Sequence, residues 1–409
     1  MPNPHKSAPR KGQWLAGGFL LTFSSAFGQT FFIALFAQDL KSEFGLSDGA
    51  FGTLYMLATL ASAGVLMWIG QVADRRFLRP VGGLTLAGLA LAAAAMAGVA
   101  AAWMLLPILF ALRLLGQGLP GHIAMTAMAR WFVGERGRAI ALAAMGFPAS
   151  QAIIPIIAVT LAGSVGWRMT WALSAAALLA VSVPLILILF RTEPEAADEG
   201  TKAGAEAPAA PAPRDWTRSQ VLRDPIFHAV MPGVLAPPFV ATGIFFHQIT
   251  IVQSKGWDLA WFVGWYAAHA LTTVAAGLAT GWVIDRFTSA RVLPTFLVPL
   301  VAGVAVLGLW DSAYAVPVFM VLSGLSIGSA NTVQGALWAE LYGTRHLGAI
   351  RSLASAGMVF ASALAPGLMG YLFDAGLTAA QQLLMLAAYT LLASGLLAAV
   401  TPRLGARAG

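Results

Sequence analysis

The chain has 409 residues, of which 58% are hydrophobic and 10% charged, with a net charge of +7 and no cysteine. A soluble globule carries charge on about a quarter of its residues, so this composition excludes one and requires lipid as solvent for most of the surface. The missing cysteines exclude disulfides, thiolate metal sites and thiol chemistry, and Lys and Arg placed beside apolar runs point to membrane topology rather than nucleic acid.

A polar tail, 1–13, precedes an apolar run from Trp14 that is too long for a signal-peptide core and reads as a retained first span. Spans of about twenty apolar residues are predicted at 14–36, 49–73, 81–101, 104–129, 138–163 and 169–191. Six more follow at 228–252, 259–284, 291–311, 315–340, 350–373 and 378–401. Between the two sets lies a linker, 192–227, whose Ala/Pro-rich stretch is low in complexity. A short tail, 402–409, closes the chain. With the N-terminus in the cytoplasm, twenty of the 24 Lys and Arg residues fall on the cytoplasmic side. Lys41, Arg168 and Lys255 fall on the other side, and Arg113 lies inside a helix. Trp103, Trp167, Trp257 and Trp310 at one set of helix ends, with Trp14, Trp131 and Trp282 at the other, fit interfacial anchors. The expectation is a multi-pass protein of a bacterial inner membrane, monomeric, with both termini cytoplasmic.

The two sets of spans repeat each other. Gly70 and Asp74-Arg75 recur 211 positions later as Gly281 and Asp285-Arg286. Arg138, Met145, Phe147 and Pro155 recur as Arg351, Met358, Phe360 and Pro366, and Gly118 pairs with Gly328. A similar offset, 210 to 213, across several helices predicts an all-α membrane protein: twelve transmembrane helices in two pseudo-symmetric six-helix bundles, 14–191 and 228–401.

The loop after the second span, Gly70-Gln-Val-Ala-Asp74-Arg75-Arg76-Phe77-Leu78-Arg79, resembles the G-x-x-x-D-[RK]-x-G-x-[RK]-[RK] signature of the major facilitator superfamily, with Phe77 in place of the glycine. The fourth span, with Arg113 followed by Gly116-Gln117-Gly118, is similar to a second motif of that family. The segment from Arg130 to Pro155 is similar to its monocarboxylate and oxalate–formate branches. The resemblance implies a transporter that works by alternating access, with two bundles rocking about a midplane cavity and no catalytic centre. It also implies gating by Gly70, Asp74, Arg75, Arg79, Gly281, Asp285 and Arg286. A helix-end carboxylate facing a neighbouring helix N-terminus supplies the physics of such a latch.

The deep ionisable residues are Arg113, His122, His247 and His269, and no Asp or Glu falls in the middle of a span. Such residues face a cavity and have a function, or bind neighbouring helices; for Arg113 both readings stand. A site without carboxylates favours anionic or neutral polar cargo, and any coupled proton falls to a histidine. Uniport and exchange remain open. Trp265, Tyr266, His269 and Thr273 share one stripe of the eighth span. His247 and Gln248 are adjacent and about 100° apart on the seventh, so only one of them is expected to face the cavity. Asn331, Gln334 and Trp338 form a stripe on the tenth, while Gln29, Gln117, His122 and Gln151 complete the substrate-binding or coupling candidates. Kinks at Pro148, Pro155 and Pro366 suit helices that flex. No metal or cofactor is implied. The cargo expected is a small organic anion, with a planar amphiphile as the transport alternative and a non-transporting receptor as the rival class.

Overall fold

The computed structural model describes residues 8–75, 78–132, 135–192 and 215–408, with the side chains of 8–10, 70–75, 403 and 405–408 left out of the description. All described elements are helical, and contacts divide the chain into two compact units, Met1–Gly204 and Ala205–Gly409. Eleven described stretches are long and apolar enough to cross a membrane, and a twelfth apolar helix, Val298–Leu309, is shorter. The protein is therefore an all-helical membrane protein.

In the first unit the opening span runs from Lys11 to Phe44 but is not one helix. A helix over Ala8–Ser24 tightens to a 3₁₀ turn at Ser25–Gly28, Gln29 is extended (φ −80°, ψ 152°), and winding resumes at Thr30. The second and third spans are Asp48–Arg75 and Leu78–Ala97. The fourth is helical over Ala102–Leu112, widens to a π-turn over Arg113–Gly118, and continues as Leu119–Trp131. The fifth breaks at Met145 between Arg136–Ala144 and Gly146–Val165. There the Thr22 hydroxyl donates to the Ala143 carbonyl at 2.5 Å. The sixth, Trp167–Ala177 and Val183–Leu189, also carries a π-turn. Its buried Trp171 ring packs on Phe32 and Phe36 of the first span, at 4.9 and 5.2 Å.

In the second unit Asp224 caps the seventh span, Pro225–Phe246, by accepting from Ile226 N, and its other oxygen accepts from the Tyr342 hydroxyl at 3.0 Å. The eighth span, Leu259–Gly264 and Tyr266–Phe287, packs backbone to backbone on the tenth, Ala315–Tyr342. Two tenth-span glycines spaced by four make that approach possible. A Cβ on Gly324 would lie 2.6 Å from the His269 carbonyl oxygen, and one on Gly328 would fall on the Thr273 carbonyl. Hydroxyls close the seam: Thr332 donates to Gly277 O at 3.1 Å and Thr280 to Ser329 at 2.9 Å.

The ninth span departs from its expected 291–311 helix. Ser289–Val292 is a single turn, 293–297 are turns, and the regular helix covers only Val298–Leu309. Pro294 and Pro299 explain this, since each removes a donor from the helical ladder. The carbonyls left over are met by side chains, Ser394 on Pro294 O at 2.9 Å and Ser326 on Phe296 O at 2.5 Å. The eleventh and twelfth spans are Leu347–Asp374 and Ala379–Ala408.

Candidate functional site

Of the sequence-predicted gating residues, the side chains of Gly70, Asp74 and Arg75 lie outside those described. Arg79 is exposed and donates to Leu187 O at 3.0 Å. In the second unit Gly281 lies in loose contact with Thr332, Asp285 is exposed, and Arg286 stacks over the Trp282 ring at 4.0 Å. The carboxylate that faces a neighbouring backbone start there is Glu340, in the last turn of the tenth span. It accepts from Ser289 N at 3.0 and 3.1 Å and from the Ser289 hydroxyl at 2.6 Å. Sequence reasoning missed Glu340; a carboxylate five residues before Arg345 at a span's end was the available signal.

Around the first-span break, Gly28 meets Gly116 of the π-turn so closely that a Cβ on Gly116 would stand 2.5 Å from Gly28 Cα. Arg113, buried, donates through Nη1 to Gly28 O at 3.0 Å and through Nε to the Thr59 hydroxyl at 3.1 Å, and lies 5.0 Å from the Tyr55 ring centroid. The Tyr55 hydroxyl meets Thr30 at 2.7 Å, so four polar groups from three spans hold the break. Gln29, half-buried, turns back to Ser25 at 3.3 Å. Gln117 is exposed, and His122 and Gln151 are half-buried. No described contact joins these three to Arg113.

The second unit gathers a different set. The seventh span interrupts its helix at His247, so the two neighbours there point to different partners. His247 Nε2 pairs with the carbonyl of Pro366 at 2.9 Å, with its ring 5.1 Å from Phe373. Gln248, fully buried, accepts from the Tyr266 hydroxyl at 2.5 Å. The Phe245 ring lies 5.2 Å from Tyr266, 5.4 Å edge-on to His269 and 6.2 Å from Phe319 of the tenth span. His269 is 3% exposed, and among the described residues neither of its ring nitrogens has a hydrogen-bond partner. One other buried side-chain donor shares that condition, Trp171 Nε1. An unmet buried polar group costs about 1–3 kcal/mol and calls for an explanation.

The residues of the expected eighth-span stripe meet different partners. The helix restarts at Tyr266, leaving Trp265 half-buried against Trp261 at 5.6 Å, and the Thr273 hydroxyl is taken by the His269 carbonyl at 2.8 Å. On the tenth span Asn331 is exposed, Gln334 half-buried, and Trp338 buried between Phe227 and Tyr342 at 5.6 and 6.4 Å. What the structure assembles is Phe245, Gln248, Tyr266, His269 and Phe319, one imidazole and one phenol–amide pair in an aromatic enclosure. Among the described residues no group of His, Asp and Glu has the arrangement of a metal site.

A family model described as Major Facilitator Superfamily matches residues 18–272. Among solved structures, the fold is similar to a bacterial homologue of the human lysosomal transporter Spinster, in an inward-facing and unoccupied form. That match has a TM-score of 0.68 at 15% identity and covers 98% of this chain and 96% of that one. It is also similar to a point mutant of the nucleoside transporter NupG, again with a TM-score of 0.68 at 15% identity, over 97% and 99% of the two chains. No curated protein matches by sequence.

Proposed function

The chain belongs to the Major Facilitator Superfamily and is a secondary transporter rather than an enzyme, and from that premise we propose that it moves a small organic anion, a carboxylate, by alternating access, with the His269 cluster as the cargo contact. One observation carries this reading: an imidazole, 3% exposed, whose two nitrogens are both unmet within an aromatic enclosure. A carboxylate of the cargo accepts from the imidazole N–H, and the Tyr266–Gln248 pair offers a second polar contact by exchanging its hydrogen bond. Arg113, engaged by Gly28 and Thr59, stays outside the site in this reading and serves the fold.

Access to so closed a cluster requires helix movement, and two of the three spans that carry it are interrupted beside it. The seventh is interrupted at His247, after Pro237 and Pro238, and the eighth at Trp265. Prolines and interrupted helices are where a span bends at low cost. The local likeness of Arg130–Pro155 to monocarboxylate and oxalate–formate carriers supports a carboxylate. The eighth span, with Gly277, Leu278 and Ala279, lacks those carriers' arginine and leaves the imidazole of His269 as the donor.

A second reading, a planar amphiphile, is favoured by the rings of Phe245, Tyr266 and Phe319 around the imidazole. Uptake into proteoliposomes decides between them. Small carboxylates should accumulate and be lost in His269→Leu; uptake of planar neutral aromatics with no carboxylate flux would overturn the first reading. We place the termini and the basic loops in the cytoplasm on the charge pattern. The three basic residues expected on the far side each meet an acid: Lys41 meets Asp48, Arg168 meets Glu43 and Lys255 meets Asp311.

A further inference from the structure

The shortened ninth span leaves space. Where residues 293–297 depart from the helical path, a cleft of about 550 Å³ opens between the eighth, ninth and tenth spans. Its walls are apolar, with Val283 and Phe287 from the eighth, Phe296 and Pro299 from the ninth and Leu325 from the tenth. Thr280 and Ser329, hydrogen-bonded to each other at 2.9 Å, lie at its side. Arg291 also lines it, is exposed, and has no hydrogen-bond or ion-pair partner among the described residues.

The surroundings indicate what the cleft meets. Trp282 and Phe287 are exposed, and Arg286 lies over the Trp282 ring. An exposed Trp with a stacked Arg at a span's end is the composition of the headgroup level. Of the acids at this end, Glu340 is engaged by Ser289 and Asp285 is exposed beside Arg286, and among the described residues no carboxylate lines the cleft. Arg291 therefore presents positive charge at headgroup depth, at the mouth of an apolar slot that runs between helices.

We infer that this cleft binds one anionic phospholipid of the surrounding leaflet, an acyl chain lying between Phe287, Phe296 and Leu325 and the phosphate on Arg291. An apolar slot with a guanidinium at its mouth matches an amphiphile that is apolar along its length and anionic at one end. Arg recognises phosphate in a bidentate manner, and with no carboxylate among the described residues lining the slot, Arg291 favours a headgroup of net negative charge over a zwitterion. The inference is independent of the cargo, since no residue of the His269 cluster lines this cleft.

The test uses the full chain in mild detergent, with phosphatidylglycerol, phosphatidylcholine and inorganic phosphate added separately. Retained lipid is read by native mass spectrometry and stabilisation by thermal unfolding. Wild type should retain phosphatidylglycerol about fivefold better than phosphatidylcholine, the scale of one basic residue at a membrane surface. Arg291→Gln should abolish the preference while leaving the protein folded. Leu325→Trp, which fills the slot and keeps the charge, should reduce retention of both lipids. Equal retention of the two lipids by wild type would overturn the inference, as would a preference unchanged in both variants. Stabilisation by inorganic phosphate equal to that by phosphatidylglycerol would overturn the lipid in favour of a free anion.

Discussion

The guanidinium of Arg113 donates to the carbonyl of Gly28 at 3.0 Å, at the point where the first span leaves its helical path. In a continuous helix Phe32 N would serve that carbonyl; here Phe32 N and Ile33 N both turn to Gln29 O. Arg113 supplies the missing donor and reaches Thr59 with its Nε. Lysine carries the charge as a single point and cannot hold both acceptors in one plane. Arg113→Lys should therefore lose about 2–3 kcal/mol of stability, seen as a lower Tm in detergent. The fraction that stays folded should bind a carboxylate cargo as wild type does. A weakened Kd with unchanged Tm would instead make Arg113 a cargo ligand.

The same break depends on two glycines meeting face to face. A Cβ at Gly116 would stand 2.5 Å from Gly28 Cα and 2.8 Å from Gly28 N, backbone atoms that cannot swing aside. Gly116→Ala should thus part the first and fourth spans and cost roughly 1–3 kcal/mol, as overpacking does, lowering folded yield in membranes. Gly137→Ala is the control, because a Cβ there meets nothing within 4 Å. Equal yields for the two variants would mean that the crossing tolerates separation.

Much of this architecture was legible in the sequence, because lipid forces long apolar runs and charge marks their ends. Eleven spans stand close to the expected stretches, and the ninth is present but shorter for a local reason: Pro294 and Pro299 break a run that hydropathy alone reads as continuous. The site was less legible. Spacing placed Trp265, Tyr266, His269 and Thr273 on one stripe, but which of them the rings of Phe245 and Phe319 would surround depended on tertiary packing. Angular reasoning separated His247 from Gln248, yet which neighbour each would meet depended on the tertiary placement of Pro366 and Tyr266. Arg113 was found as a buried charge; its partner, Gly28 O, was not, because a backbone carbonyl freed by a helix break has no sequence symbol.

His269 offers a test that separates function from packing. Its two nitrogens are unmet in the fold, so a side chain of similar size without them removes a desolvation cost rather than a bond. His269→Leu should fold with a Tm equal to or above wild type and yet lose most cargo binding, about tenfold or more in Kd, the scale of one lost hydrogen bond to a charged group. A fall in both quantities would assign the imidazole to packing. Any rise in Tm would mark a site where stability was given up for function.

Glu340 and Asp285 give opposing expectations at the same end of the second unit. The resemblance to the family loop motif points to Asp285 as the latch, but Asp285 is exposed, while Glu340 accepts three hydrogen bonds from Ser289. A carboxylate on a backbone N–H and a hydroxyl makes charge-assisted bonds, and Gln in its place offers one neutral acceptor. Glu340→Gln should cost about 1–2 kcal/mol and release the Ser289–Val292 turn, measurable as faster amide exchange over that segment. Asp285→Asn should leave exchange there unchanged. The reverse pattern would restore Asp285 as the residue that holds this end of the unit.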